Sequence, residues 1–132
     1  MKARFGWAAV SFFVLAALGA VPPVAAGPVD PAFMAEYQPF EAKLRAHDHA
    51  AVAGFFIYPQ KDGLFYNLNA KAAAGEMKRS WSKSKWQSPV IHSDTPGKTL
   101  VDFSEEDVEF VFERVDGKYK VRTVYINLEG GD

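Results

Sequence analysis

Three groups of residues in this chain carry side chains that do chemistry. The first is His47-Asp48-His49, two imidazoles around a carboxylate, a donor set that zinc or copper accepts. On a helix, however, residues two apart point roughly 200° away from each other. No third ligand follows at metal spacing. The triplet therefore reads as a helix junction with Asp48 as a cap, and no metal is expected. The second group runs from Lys71 to Trp86, where Lys71, Lys78, Arg79, Lys83 and Lys85 alternate with Trp81 and Trp86 and Glu76 is the single acid. Cations beside exposed indoles hold anions, glycans or single strands by charge and stacking. The competing interpretation is a solvated positive face over two core tryptophans. The third group is Asp102, Glu105, Glu106, Asp107, Glu109 and Glu113, with no basic residue among them. Calcium loops alternate oxygen ligands around a turn glycine, and that spacing is missing. A charged turn guarding a sheet edge, or an acidic strip that meets the basic segment of a second copy in a homodimer, accounts for it.

The familiar catalytic signatures do not occur. There is no glycine-rich phosphate loop, no Gly-x-Ser-x-Gly elbow, no His-Glu-x-x-His helix and no cysteine. No catalytic residue is assigned, and no cofactor is expected.

The chain of 132 residues is one domain's worth, and 48% apolar with 14% aromatic side chains suffices for one core. That composition excludes a disordered tail, a coiled coil, a collagen-like rod and a multi-pass membrane protein. Residues 1–26 read as a signal peptide: Lys2 and Arg4 precede an apolar run from Phe5 to Val21, Pro22-Pro23 break it, and Val24-Ala25-Ala26 offers small residues for cleavage before Gly27. Residues 27–132 then form a single α+β domain with no membrane span after cleavage. The absence of cysteine and of Asn-x-Ser/Thr sites fits a soluble bacterial protein of the periplasm or medium better than a disulfide-stapled secreted domain. Without Lys2 and Arg4 the mature chain has 13 basic and 16 acidic side chains, net −3, which points to no particular partner.

Asp30-Pro31 has the cap-then-proline order of a helix start, and Phe33, Tyr37, Phe40 and Leu44 lie on one helical face, with Pro39 as a kink or break. A short helix over Ala50 to Phe55 follows Asp48. Phe56 to Pro59 and Leu64 to Leu68 suggest a hairpin about Gln60-Lys61-Asp62-Gly63. Asn69 to Ser80 is ambiguous: Ala73, Met77 and Trp81 favour a helix and Gly75 opposes one. Ser82 to Ile91 is expected as a strand, His92 to Lys98 as a loop around Pro96-Gly97, and Thr99 to Phe103 as a strand turned by Ser104 to Asp107. Asp116-Gly117 is a strong two-residue hairpin turn. With Val115 opposite Lys118 it sets Phe112 beside Val121, Phe110 beside Thr123, Val108 beside Tyr125 and Glu113 beside Lys120. Helices first and a mainly antiparallel sheet afterwards make an α+β fold, N-terminal helices packed on a curved sheet that ends in a β-hairpin.

Two stretches resemble a known family. Phe40-Glu41-Ala42-Lys43-Leu44-Arg45-Ala46-His47-Asp48-His49-Ala50-Ala51-Val52-Ala53 is similar to the opening of nuclear transport factor 2-like proteins, the cystatin-like α+β cone. Asp116-Gly117-Lys118-Tyr119-Lys120-Val121 resembles the turn of their last hairpin. The resemblance implies a cone-shaped fold used by isomerases, dehydratases, polyketide cyclases and noncatalytic binding domains. Its enzymes place an Asp, His or Tyr inside the cone, and no such residue maps onto this chain by motif.

Two functions are weighed. One is a noncatalytic exported domain that contacts an envelope glycan, a lipid headgroup or a protein partner through Lys78, Arg79, Trp81, Lys83, Lys85 and Trp86. Export argues against nucleic acid as the partner. The other is a small-molecule binder or isomerase-like enzyme with an apolar pocket lined by Tyr37, Phe40, Tyr66, Phe110 and Tyr125, with Asp48 or Asp102 as its acid.

Overall fold

Residues 29–126 are described by a computed structural model, and the leader read over residues 1–26 lies outside them. Asp30 caps the first helix, α1 (Pro31–Arg45), by accepting from the Ala32 amide at 2.9 Å. Pro31 occupies its first turn, and Pro39 lies within the helix without ending it. The stripe Phe33, Tyr37, Phe40 and Leu44 is buried as its spacing requires. Asp48 caps α2 (His49–Ala53), and Asn69 caps α3 (Ala70–Trp81) by accepting from Ala72 at 2.8 Å. In α3, Ala73, Met77 and Trp81 face the core and the lysines face away, so the ambiguous segment is a helix despite Gly75.

The sheet has four antiparallel strands in sequence order: β1 (Val90–Thr95), β2 (Lys98–Phe103), β3 (Val108–Val115) and β4 (Lys118–Ile126). Three helices against this sheet, closed by the β3–β4 hairpin, give the α+β fold expected from the sequence. Aromatic rings join the layers. Phe33 meets Phe112 edge-on at 5.2 Å, and Phe40 meets Phe110 and Phe112 at 5.1 Å each. Such edge contacts add to the burial of the rings, which dominates the energetics.

Three expectations are corrected. The strand placed over Ser82 to Ile91 starts only at Val90 and runs to Thr95, through the segment read as a loop; Pro96-Gly97 turns β1 into β2. Gly97 has a positive φ of 80°, and its carbonyl accepts from the Arg114 amide at 2.8 Å. The hairpin expected over Phe56 to Leu68 is an irregular loop with two isolated parallel bridges, Phe56 to Val121 and Gln60 to Tyr66. Its backbone pairs instead with the outer edge of β4: the Ile57 amide donates to the Val121 carbonyl at 2.9 Å and Leu64 to Val124 at 2.8 Å. Gly63 permits this approach, since its φ is +85° and a Cβ there would come within 2.5 Å of the Val124 carbonyl oxygen.

The third correction concerns the hairpin register. Val115–Lys118, Glu113–Lys120 and Phe112–Val121 pair as the turn dictates. Beyond them Arg122 is an extra residue, a β-bulge, so Val111 faces Thr123, Phe110 faces Val124 and Val108 faces Ile126. The bulge reverses the alternation, burying Val124 on the helix side and turning Thr123 and Tyr125 to the other face. It also sets Arg122 Nε 3.2 Å from Glu113, which forms its ion pair there rather than with Lys120.

Candidate functional site

The basic segment is placed by its tryptophans. Trp81 ends α3 and Trp86 follows in the loop, the two rings edge-on at 5.0 Å. Trp86 also packs on Phe103 at 5.1 Å, and Trp81 on Phe65 at 5.4 Å. Both indoles are buried. The expected partnership of cations with exposed indoles is therefore corrected: neither ring is presented for stacking, because both fill the gap between the end of α3 and the sheet.

The loop is strapped down by polar bonds as well. The Arg45 guanidinium of α1 donates to the Trp86 carbonyl, and to that of Gln87 at 3.3 Å. The Lys85 amide donates to Glu106 Oε2 at 3.0 Å. Its side chain, with those of Lys78, Arg79 and Lys83, is left on the exposed side. Arg79 meets Glu76 one turn back on α3. Lys78, Lys83 and Lys85 make no ion pair among the described residues.

The aromatic pocket set does not assemble. Tyr37, Phe40 and Phe110 are core residues packed ring against ring, with Tyr37 5.7 Å from Phe112 and 5.9 Å from Phe40. Burial, with Glu41 nearby, pushes the Tyr37 phenol far above its ordinary range and keeps it neutral. Tyr66 is 62% exposed and Tyr125 43% exposed. After the bulge Tyr125 stands on the sheet face away from α1, where its hydroxyl bonds to Asp62 at 3.3 Å. Neither acid enters the core: Asp48 serves α2 as its cap, and Asp102 pairs across the strands with Glu109. Two features of the sequence, unbroken alternation through Tyr125 and a hairpin holding Tyr66, place those rings inward, and the structure has neither.

The outer sheet face carries a hollow of about 340 Å³ lined by Asp62, Asp94, Lys98, Glu109, Arg122 and Tyr125 among others. Burial, and secondarily the Asp102 carboxylate, raises the Glu109 pKa above the ordinary carboxylate range. The acidic turn Ser104–Glu106 joins β2 to β3, both inside the sheet, so it guards no edge. Among the described residues no group of three or more His, Cys, Asp or Glu is arranged to hold a metal ion. No helix among them is long and apolar enough to cross a membrane.

A cleft of about 530 Å³ opens between α2 and α3, lined by His47, Asp48, His49, Lys78 and Ser82 over the small residues Ala74 and Gly75. The sequence singles out the histidine triplet and the lysine separately; only the packing of α2 on α3 brings them together.

No protein-family model and no curated protein matches the chain. Among solved structures it is similar to Aln2 from a Streptomyces species, at 14% identity and a TM-score of 0.49 over 76% of this chain and 93% of that one.

Proposed function

We propose that the chain is an exported, noncatalytic binding domain whose cationic surface on α3 and the loop after it holds an anionic component of the cell envelope. The observation that carries this is the contrast within one segment. Trp81 and Trp86 are sunk into the core, while Lys78, Lys83 and Lys85 remain exposed with no acidic partner among the described residues. Ammonium groups without acidic partners on α3 and the loop bonded down beside it favour an anionic surface by about 1 kcal/mol each. Export rests on the leader pattern of residues 1–26.

Cosedimentation with phosphatidylglycerol vesicles and with neutral phosphatidylcholine vesicles tests the proposal. Binding to the anionic vesicles alone, weakening as salt rises, is expected. Equal affinity for both, or for neither while an uncharged glycan binds, would overturn it.

A further inference from the structure

The cleft between α2 and α3 gathers two imidazoles, an ammonium and a hydroxyl. His47 follows α1 in a left-handed conformation with φ of 58°, and its ring lies 5.8 Å from that of His49, the first residue of α2. Lys78 faces them from α3, and Ser82 caps that helix at the cleft wall. Burial, then His47, and more weakly Lys78, hold the His49 pKa below its ordinary value, with Asp48 opposing. His49 Nε2 is buried and has no hydrogen-bond partner, which costs free energy.

The one acid in the cleft is already engaged. Asp48 Oδ1 accepts from the Ala51 amide at 3.3 Å, and Oδ2 lies 3.8 Å from Lys43 Nζ. Glu76, elsewhere on α3, is taken by Arg79 and by the Ser80 hydroxyl at 3.3 Å. A Cβ added at Gly75 would meet nothing within 4 Å, so the floor has room for a ligand. Potential donors converge here, then, without an uncommitted carboxylate among the lining residues.

We propose that this cleft binds a single phosphate group, such as the monoester end of a phosphorylated headgroup, between His47, His49, Lys78 and Ser82. The inference rests on the anionic-envelope reading and deepens it by naming the group recognised. Two imidazoles, an ammonium and a hydroxyl offer donors from both walls. That number suits the three terminal oxygens of a phosphomonoester better than the two of a carboxylate. A bound dianion would favour the charged imidazoles and so reverse the effect that Lys78 and the neighbouring ring have on His49. Binding should therefore take up protons. It should strengthen as pH falls toward the range in which His49 takes up its proton, for as long as the ligand remains a dianion. The titratable and charged groups that face His49 are His47, Asp48 and Lys78, with Lys43 paired to Asp48.

The experiment is a titration of the purified protein with inorganic phosphate and with glycerol phosphate, following the histidine ring signals by NMR, with chloride added to matched ionic strength as control. Saturable shifts of the His47 and His49 ring signals are expected with both probes, beyond any that chloride gives. His49→Gln and Lys78→Gln should each weaken binding about tenfold, while Lys120→Ala, an exposed position on β4 outside the cleft lining, leaves it unchanged. Shifts that chloride reproduces, or that survive both cleft variants, would overturn the proposal. If either variant fails to fold, the wild-type comparison of phosphate with chloride still decides the matter. Phosphatidic acid vesicles separate a lipid headgroup from a soluble phosphate as the source. Anionic vesicles that bind while phosphate stays silent would sink the cleft and leave the wider reading standing. Phosphate that binds where vesicles do not would do the reverse.

Discussion

The segment from Lys71 to Trp86 and the C-terminal hairpin both mix aromatic with basic residues, and both bury their aromatics apart from Tyr125. The hairpin's two arginines reach acids on other elements, whereas Arg79 of α3 pairs within its own helix. The lysines of both regions, Lys118 and Lys120 included, make no ion pair among the described residues. In the hairpin Arg114 bonds to Asp30 at 2.6 Å and to the Tyr119 hydroxyl at 3.1 Å, tying the sheet to the start of α1. Arg122 sits on the bulge beside Glu113. On α3 and its loop, Lys78, Lys83 and Lys85 carry equal charge with no such partner among the described residues. A paired charge at a junction orients two elements. An unpaired one on a fixed surface contributes little to the fold and remains available to a ligand. In the proposed function the hairpin is the scaffold and the α3 face the contact.

The scaffold half of that contrast can be broken directly. Phe110→Ala removes a ring on which Phe40, Trp81 and Phe103 all pack, and should cost about 3–5 kcal/mol. Urea unfolding of the purified variant would measure it; a loss below about 1 kcal/mol would mean that the core is not seated on β3. Gly63→Ala forces a side chain against Val124 and Thr123 in a left-handed conformation. It should destabilise by about 1–3 kcal/mol and raise hydrogen exchange at the Leu64 amide, loosening the loop from the edge of β4. An unshifted melting temperature would show that the loop is not held there.

Smaller changes sharpen the contrast. Asp30→Ala removes the α1 cap and the Arg114 partner together, and loss of the cap alone should cost about 1 kcal/mol. Asp30→Asn keeps a capping oxygen and loses the charge, so it should melt between wild type and Asp30→Ala. Glu109 provides the smallest effect. Its pKa is raised by burial and by Asp102, so the folded state holds the proton more tightly than the unfolded chain does. The stability this adds is present at acid pH and lost as pH rises through the elevated folded value. Glu109→Gln should therefore raise the melting temperature at about pH 7 and leave it nearly unchanged at about pH 4. A variant less stable than wild type at the higher pH would contradict that sign.

Much of the scaffold is legible in the sequence because local signals there agree with long-range ones. Asp30-Pro31 and the stripe through Leu44 mark α1, and Asp116-Gly117 sets the first four residue pairs of the hairpin. The bulge is not legible from alternation, because one added residue leaves each side internally regular. Its trace is a break in polarity: Val111 and Phe112 are successive apolar residues, and so are Val124 and Tyr125. β1 is hard to read since Val90-Ile-His-Ser-Asp-Thr95 is half polar and lies on an edge, whereas Trp86 draws the expected strand too early. The cleft is hidden for another reason. His47 and Lys78 are far apart in the chain, and only the α2–α3 packing sets them face to face.

The measurement closest to the central claim compares wild type with the triple variant Lys78→Ala, Lys83→Ala, Lys85→Ala for binding to phosphatidylglycerol vesicles at fixed salt. Three lysines at about 1 kcal/mol each predict affinity lower by about a hundredfold, with an unfolding midpoint close to wild type. A triple variant that binds as tightly as wild type, or that loses binding only because it no longer folds, would contradict the assignment of these lysines to contact rather than to scaffold.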